Sequence, residues 1–207
     1  MSLDLLPAAW RDAPTLAGRH VRLEALRHDH VDGLREALAG DALSRLWYTS
    51  VPTVAETGAY VDAALQARAQ GQALPFAIRD AGGQVVGCTR FYDLDPAVPR
   101  LSIGYTWYAP SVQRTGVNTE SKLLLLAHAF EVLGCISVVF ETSWFNHRSR
   151  AAIARLGAKQ DGVLRNHKRH ADGSPRDTVI FSILDSEWQG VKRNLQFKLA
   201  HHEQGSP

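Results

Sequence analysis

The sequence predicts an α+β fold in three layers, one sheet with helices against it, and three observations carry that prediction. Short runs of period-two apolar alternation recur, over 16–24, 76–78, 85–91, 103–108, 136–142, 163–169 and 178–184. Between them lie apolar residues at helical spacing, such as Val31, Leu34 and Leu38, or Leu123, Leu126, Phe130 and Leu133. Residues 103–122, I-G-Y-T-W-Y-A-P-S-V-Q-R-T-G-V-N-T-E-S-K, pass from strand through a tight loop into a helix. The resulting order is βαα-βββ-α-β-α-ββ.

A chain of 207 residues suits a single domain spanning 1–207 and can bury a substantial core. Its net charge of +2, without a dense Lys/Arg block, argues against a nucleic-acid partner. Cys88 and Cys135 lie in separate apolar strand-like runs, which predicts buried thiols in a reducing compartment and no disulfide. Met1–Trp10 has no basic start and carries Asp4, unlike a signal peptide. No apolar run reaches the length of a membrane span, so a cytoplasmic protein is expected.

In order, residues 1–12 read as a loose arm and Leu16–Glu24 as a first strand, with Val21 and Leu23 opposite His20 and Arg22. Asp29 caps a helix ending near Gly40. His28 and His30, two apart, diverge on a helix and read as surface residues rather than metal ligands; no metal is expected. Thr53 and Glu56 form a capping box for a second helix to about Ala69. Trp47 and Tyr48, on the connector before it, either line a cleft or fill space between the two helices, and the second reading is preferred. Pro75 opens a strand through Phe76 and Ile78, and Gly82-Gly83 turns it back into 85–91.

The helix over 119–133 presents a wide apolar face to the sheet and ends at Gly134. After the strand 136–142, Asn146 N-caps a helix through Ser149, Ile153 and Leu156 to Gly157. A hairpin around Asp172-Gly173 follows, then a last helix over 185–200 with Trp188, Val191, Leu195 and Leu199 inward, leaving 201–207 as a disordered tail.

The loop Gln113-Arg114-Thr115-Gly116 is the informative element. A helix N-terminus has amides without intrahelical partners and the positive end of the dipole, so it attracts an anion, and Gly116 admits close backbone approach. Gln113, Arg114, Thr115, Gly116, Val117 and Asn118 resemble the Gln/Arg-x-x-Gly-x-Gly/Ala pyrophosphate loop of the Gcn5-related N-acetyltransferases, with Asn118 in place of the last Gly/Ala. Asn146 and Leu156-Gly157 match the second half of that superfamily. Ile103 to Tyr108 and the S-I-L-D-S-E-W run at 182–188 look most like its RimJ/RimL branch.

The resemblance implies a mixed sheet of about seven strands, splayed between the fourth and fifth, and acetyl-coenzyme A as cofactor. Amides over 114–119, Arg114 to Thr119, would hold the pyrophosphate. Thr106, Trp107 and Tyr108 would pair with the pantetheine as an added strand, an N–H there stabilising the oxyanion of the attacked thioester. Asn146 would bond the pantetheine arm and Arg150 reach the adenosine phosphates. Transfer to a neutral amine needs a proton acceptor and a donor for the leaving thiolate. Many relatives carry a tyrosine donor seven residues after the Asn; here that place is Ile153. Ser149 is the implied donor, its alternatives being to order a water or cap the helix. Glu120, which also complements the helix dipole, and Glu141 are the candidate bases. The acceptor is a peptide or small-molecule amine, with neither nucleic acid nor membrane expected and a homodimer compatible with the reading. A non-catalytic acyl-CoA-binding module is the alternative.

Overall fold

The computed structural model describes residues 3–40 and 43–204. Its centre is an eight-stranded sheet in the order β1-β2-β3-β4-β5-β6-β8-β7. The strands are β1 (Leu16–Ala17), β2 (Val21–Ala25), β3 (Ala73–Asp80), β4 (Val85–Asp95), β5 (Arg100–Tyr108), β6 (Ser137–Ser143), β7 (Lys159–Arg169) and β8 (Pro175–Leu184). The helices are α1 (Val31–Ala37), α2 (Thr57–Ala69), α3 (Gly116–Ala127), α4 (His147–Leu156) and α5 (Asp185–Gln204).

Every ladder is antiparallel except β5–β6, which the α3 crossover makes parallel. That parallel ladder is short: Arg100, Leu101 and Ser102 face Ser137, Val138 and Val139, and Ile103–Tyr108 then run on without a partner on the β6 side. The expected splay is therefore present, between the fifth and sixth strands as numbered here. The count is eight because the expected first strand is broken into β1 and β2 by a turn in which the Gly18 amide bonds the Val21 carbonyl at 2.9 Å.

Facing residues pack on two sides of the sheet. Adjacent strand residues point opposite ways, and Arg90 meets Tyr60 of α2 while Thr89 leads through Thr106 to Lys122 of α3. Thus α2 and α3 lie on opposite faces. Phe76 and Phe91 stack edge-on in the core, and Trp188, Val191, Leu195 and Leu199 of α5 turn inward as their spacing predicts. Cys88 and Cys135 are free and buried. The Thr53–Glu56 box forms, with the Thr53 amide donating to Glu56 Oε2 at 3.0 Å and the Glu56 amide to Thr53 Oγ1 at 3.3 Å.

Five expectations are corrected. Residues 3–10 are not a loose arm: Leu3–Leu5 and Ala8–Trp10 form 3-10 turns that bury Leu6 and Trp10 (Met1 and Ser2 lie outside the described residues). Residues 201–204, expected in the disordered tail, continue α5, and 205–207 lie outside the described residues. The helix expected to reach Leu133 widens into a π turn at His128–Val132. His30 is fully buried, its Nδ1 accepting from the Arg27 amide at 3.0 Å and its Nε2 donating to Glu24 at 2.8 Å, so it ties the start of α1 to β2. Trp47, meanwhile, is half exposed and packs on Phe145 and His170 rather than between two helices.

Candidate active site

Tyr108 ends β5, and Pro110–Val112 form a single 3-10 turn before the loop. Gln113 donates through Nε2 to the Tyr108 carbonyl at 3.1 Å, which anchors the loop to the strand. Arg114 sits in the left-handed region at φ 66°, a conformation costly for a side chain with a Cβ and typical of functional turns. Thr115 is the N-cap of α3: its hydroxyl donates to the Val112 carbonyl at 2.7 Å and accepts from the Val117 amide at 3.3 Å. Val117 and Thr119 are buried, and Asn118 is partly so. A Cβ at Gly116 would stand 3.0 Å from the His20 ring, so a larger residue there would press on that ring.

Beside this helix start runs the unpaired edge of β5. Between Cys88 and Arg90 the β4–β5 register slips by one residue, and Tyr105 takes φ 52°, so the strand bulges at Tyr105–Thr106. Trp107 is buried, its indole N–H directed at the Cys88 thiol and short of a full hydrogen bond among the described residues. A free strand edge accepts a further extended segment, and a helix start accepts an anion. Together they fit a ligand with an extended arm and phosphates.

Across the gap, β6 leads into α4. Asn146 caps α4, its Oδ1 accepting from the Ser149 amide at 3.0 Å, which leaves the Asn146 Nδ2 donors for another partner. Ser149 is half-buried one turn from the cap, and Ile153 is buried below it. Arg150 folds back on its own loop, over the Trp144 ring at 4.3 Å and onto the Trp144 carbonyl at 3.2 Å. Arg148 bonds Gln113 Oε1 and so links α4 to the loop.

Charged residues around the gap divide sharply. Glu120 is no base: its carboxylate accepts the amides of Arg19, His20 and Val21 at 2.9, 2.6 and 2.8 Å. A Cβ on Gly18 would fall 2.3 Å from its Cδ, so the β1–β2 turn is a cradle built around this carboxylate. Glu141 on β6 is mostly covered and accepts from Lys168 of β7 at 2.5 Å. Its charge also reaches the Tyr92 phenol, whose pKa is raised mainly by burial and then by Glu141.

Two cations escaped the sequence reading. Lys122 is 6% exposed and donates to Thr106 Oγ1 at 2.8 Å, and Thr106 in turn bonds Thr89 Oγ1 at 2.8 Å. Burial without a carboxylate lowers its pKa from 10.5 to about 7. Arg90 is 7% exposed and lies over the rings of Tyr60 and Tyr105. The available signal was periodicity: Lys122 is four residues before the inward Leu126, and Arg90 alternates with apolar Phe91.

The fold and this geometry define an acyltransferase-like site. Residues 20–159 match the family model of the acetyltransferase (GNAT) domain, and the chain belongs to that family. A structure of a GCN5-related N-acetyltransferase from Brucella melitensis is 34% identical, with a TM-score of 0.82, covering 91% of this chain and 86% of that one. Mycobacterium smegmatis RimJ, solved in complex with CoA-disulfide, shares the fold at 22% identity and a TM-score of 0.73, over 92% of this chain and 96% of that one. YdaF of Bacillus subtilis (strain 168), named as a candidate ribosomal N-acetyltransferase, is 31% identical over 110 residues. That match takes in 53% of this chain and 59% of YdaF's length. Among the described residues no helix is long and apolar enough to cross a membrane.

Proposed function

We propose that the chain is an acetyl-coenzyme A-dependent N-acetyltransferase acting on a primary amine. The observation that carries this reading is the continuity of the free β5 edge with the capped start of α3. Amides of residues 114–119 would hold the pyrophosphate, with Gln113 bracing the loop. Thr106, Trp107 and Tyr108 would receive the pantetheine as an extended arm along the edge that β6 leaves unpaired. Asn146 would donate through Nδ2. Bound acetyl-coenzyme A supplies a thioester whose acetyl group passes to the amine.

The chain's part is to orient and to handle protons. Ser149 Oγ, on the wall opposite β5, holds a proton for the leaving side. With Glu120 locked by three amides, Glu141 is the carboxylate left to accept the amine's proton. The name of YdaF, a candidate ribosomal N-acetyltransferase, favours a protein or peptide amine over an antibiotic or metabolite. The mixed surface charge favours neither nucleic acid nor membrane, and a cytoplasmic location fits this role.

Calorimetric titration with coenzyme A, run beside thiol release over a panel of peptide and small amines, tests the reading. Saturable binding with amine-dependent release is expected. Binding without release from any amine would move the chain to the non-catalytic module that Ile153, in the usual tyrosine place, allows. Absence of binding would end the cofactor assignment.

A further inference from the structure

We propose that Arg90 and Asp93 form an acceptor subsite for an amine that carries its own carboxylate, an amino-acid-like molecule or an acidic peptide N-terminus. The inference rests on the transferase reading and names the acceptor's chemistry. A cleft of about 410 Å³ opens between the end of α2 and the β4–β5 pair, lined by Arg90, Tyr92, Asp93 and Tyr105 with Gly71 and Gln72. That volume suits a small ligand or one or two residues of a peptide. It adjoins the bulge, where Tyr105 at φ 52° lays its ring against Arg90, centroid to Cζ 4.4 Å.

The state of Arg90 is what points to an anion. Its side chain is more than nine-tenths buried, its Nε is fully buried without a partner, and it makes no ion pair among the described residues. A guanidinium cannot shed its proton to escape burial. The Tyr60 hydroxyl takes a hydrogen bond from Arg90 and the rings of Tyr60 and Tyr105 offset the charge through their faces, but none of these satisfies the in-plane Nε–H of the guanidinium fork. That fork matches a carboxylate, two parallel N–H donors to two oxygens.

The opposite charge is also present. Asp93 lines the same cleft and, among the described residues, accepts only a long bond from Ser102 Oγ, 3.4 Å. Asp93 marks the acidic end of the cleft and Arg90 its basic end. A cleft with one cation and one carboxylate complements a zwitterion: the ammonium on Asp93's side, the carboxylate on Arg90.

Two matched acceptor pairs test this on the full chain saturated with acetyl-coenzyme A: γ-aminobutyrate against its amide, and two hexapeptides differing only by Glu or Gln at the second residue. Binding is followed by calorimetry and turnover by thiol release. In at least one pair the carboxylate member is expected to be favoured by tenfold or more in kcat/KM, through KM, and the responding pair tells a small molecule from a peptide. Arg90→Gln should shrink that preference to within twofold while coenzyme A affinity holds; Arg90→Lys, which keeps a cation, should retain part of it and serves if Arg90→Gln does not fold. The inference is overturned if neither pair shows a preference, if no carboxylate probe binds, or if Arg90→Gln slows both members equally, as a merely structural arginine would. Failure of coenzyme A itself to bind would overturn the transferase reading instead.

Discussion

Arg90 and Lys122 are buried cations on opposite faces of the β4–β5 pair, and among the described residues neither meets a carboxylate. Their chemistry separates them. Lysine escapes the cost of burial by releasing its proton, and Lys122 does so, at about 7 instead of 10.5, keeping a hydrogen bond to Thr106. Arginine has no such exit, so Arg90 stays charged and leans on two tyrosine rings. One face of the strand pair therefore becomes neutral packing under the bulge, while the other keeps a charge facing a cleft. The same degree of burial yields a structural residue in one place and a recognition residue in the other.

The comparison breaks most visibly if the two side chains are made alike. Lys122→Arg places a cation that cannot discharge where no anion exists, and should lower stability by about 3–5 kcal/mol, the cost typical of an uncompensated buried charge. Urea unfolding at pH 7.5 measures it; an unchanged midpoint would mean that solvent reaches Lys122. Next in size is Glu120→Gln, which contrasts a buried ion that is fully satisfied. Gln offers one acceptor oxygen and turns an NH2 toward backbone donors, so a loss of about 2–3 kcal/mol is expected. If Glu120 were instead the base, the same variant would remove the alkaline-rising limb of the pH–rate profile with little change in melting.

Lys122→Met sharpens the neutral side. Between pH 7 and about 10 the unfolded chain's lysine keeps a proton that the folded one has released, so wild-type stability should gain as pH rises through that window. Below pH 7 both states are protonated and the contribution is level. The methionine variant lacks this gain, and the difference between the two proteins should change by about 2 kcal/mol from pH 7 to 9, read from paired unfolding curves. Smallest is Ser149→Ala, about tenfold in kcat with coenzyme A affinity retained. Wild-type turnover in that variant would remove Ser149 from proton transfer.

Local hydrogen bonding made much of the fold legible. The Thr53–Glu56 box and the Asn146 cap each join residues three apart, so residue type and spacing were enough, whereas the Thr115 cap, which starts α3 three residues before the expected 119, was missed. The splay beside Ile103–Tyr108 followed from the resemblance that those caps and the loop support. Roles set by distant neighbours were not legible. Glu120 reads from the sequence as a first-turn residue, a dipole partner or base, yet α3 starts earlier, at Gly116, and the donors to Glu120 lie 99 to 101 residues before it. Arg150 and Arg148 are indistinguishable by spacing, and only packing sends one to Trp144 and the other to Gln113.

By itself, then, the chain's order of residues determined which segments are strands and roughly where the helices lie, because those depend on periodicity; the exact starts moved, α3 to Gly116 and α1 to Val31, where Asp29 is not the cap. Only the assembled sheet decided which charges went under cover and who met them. Burial and charge state depend on the sum of remote neighbours, and for Arg90, Lys122 and Glu120 those neighbours arrive from other strands and helices.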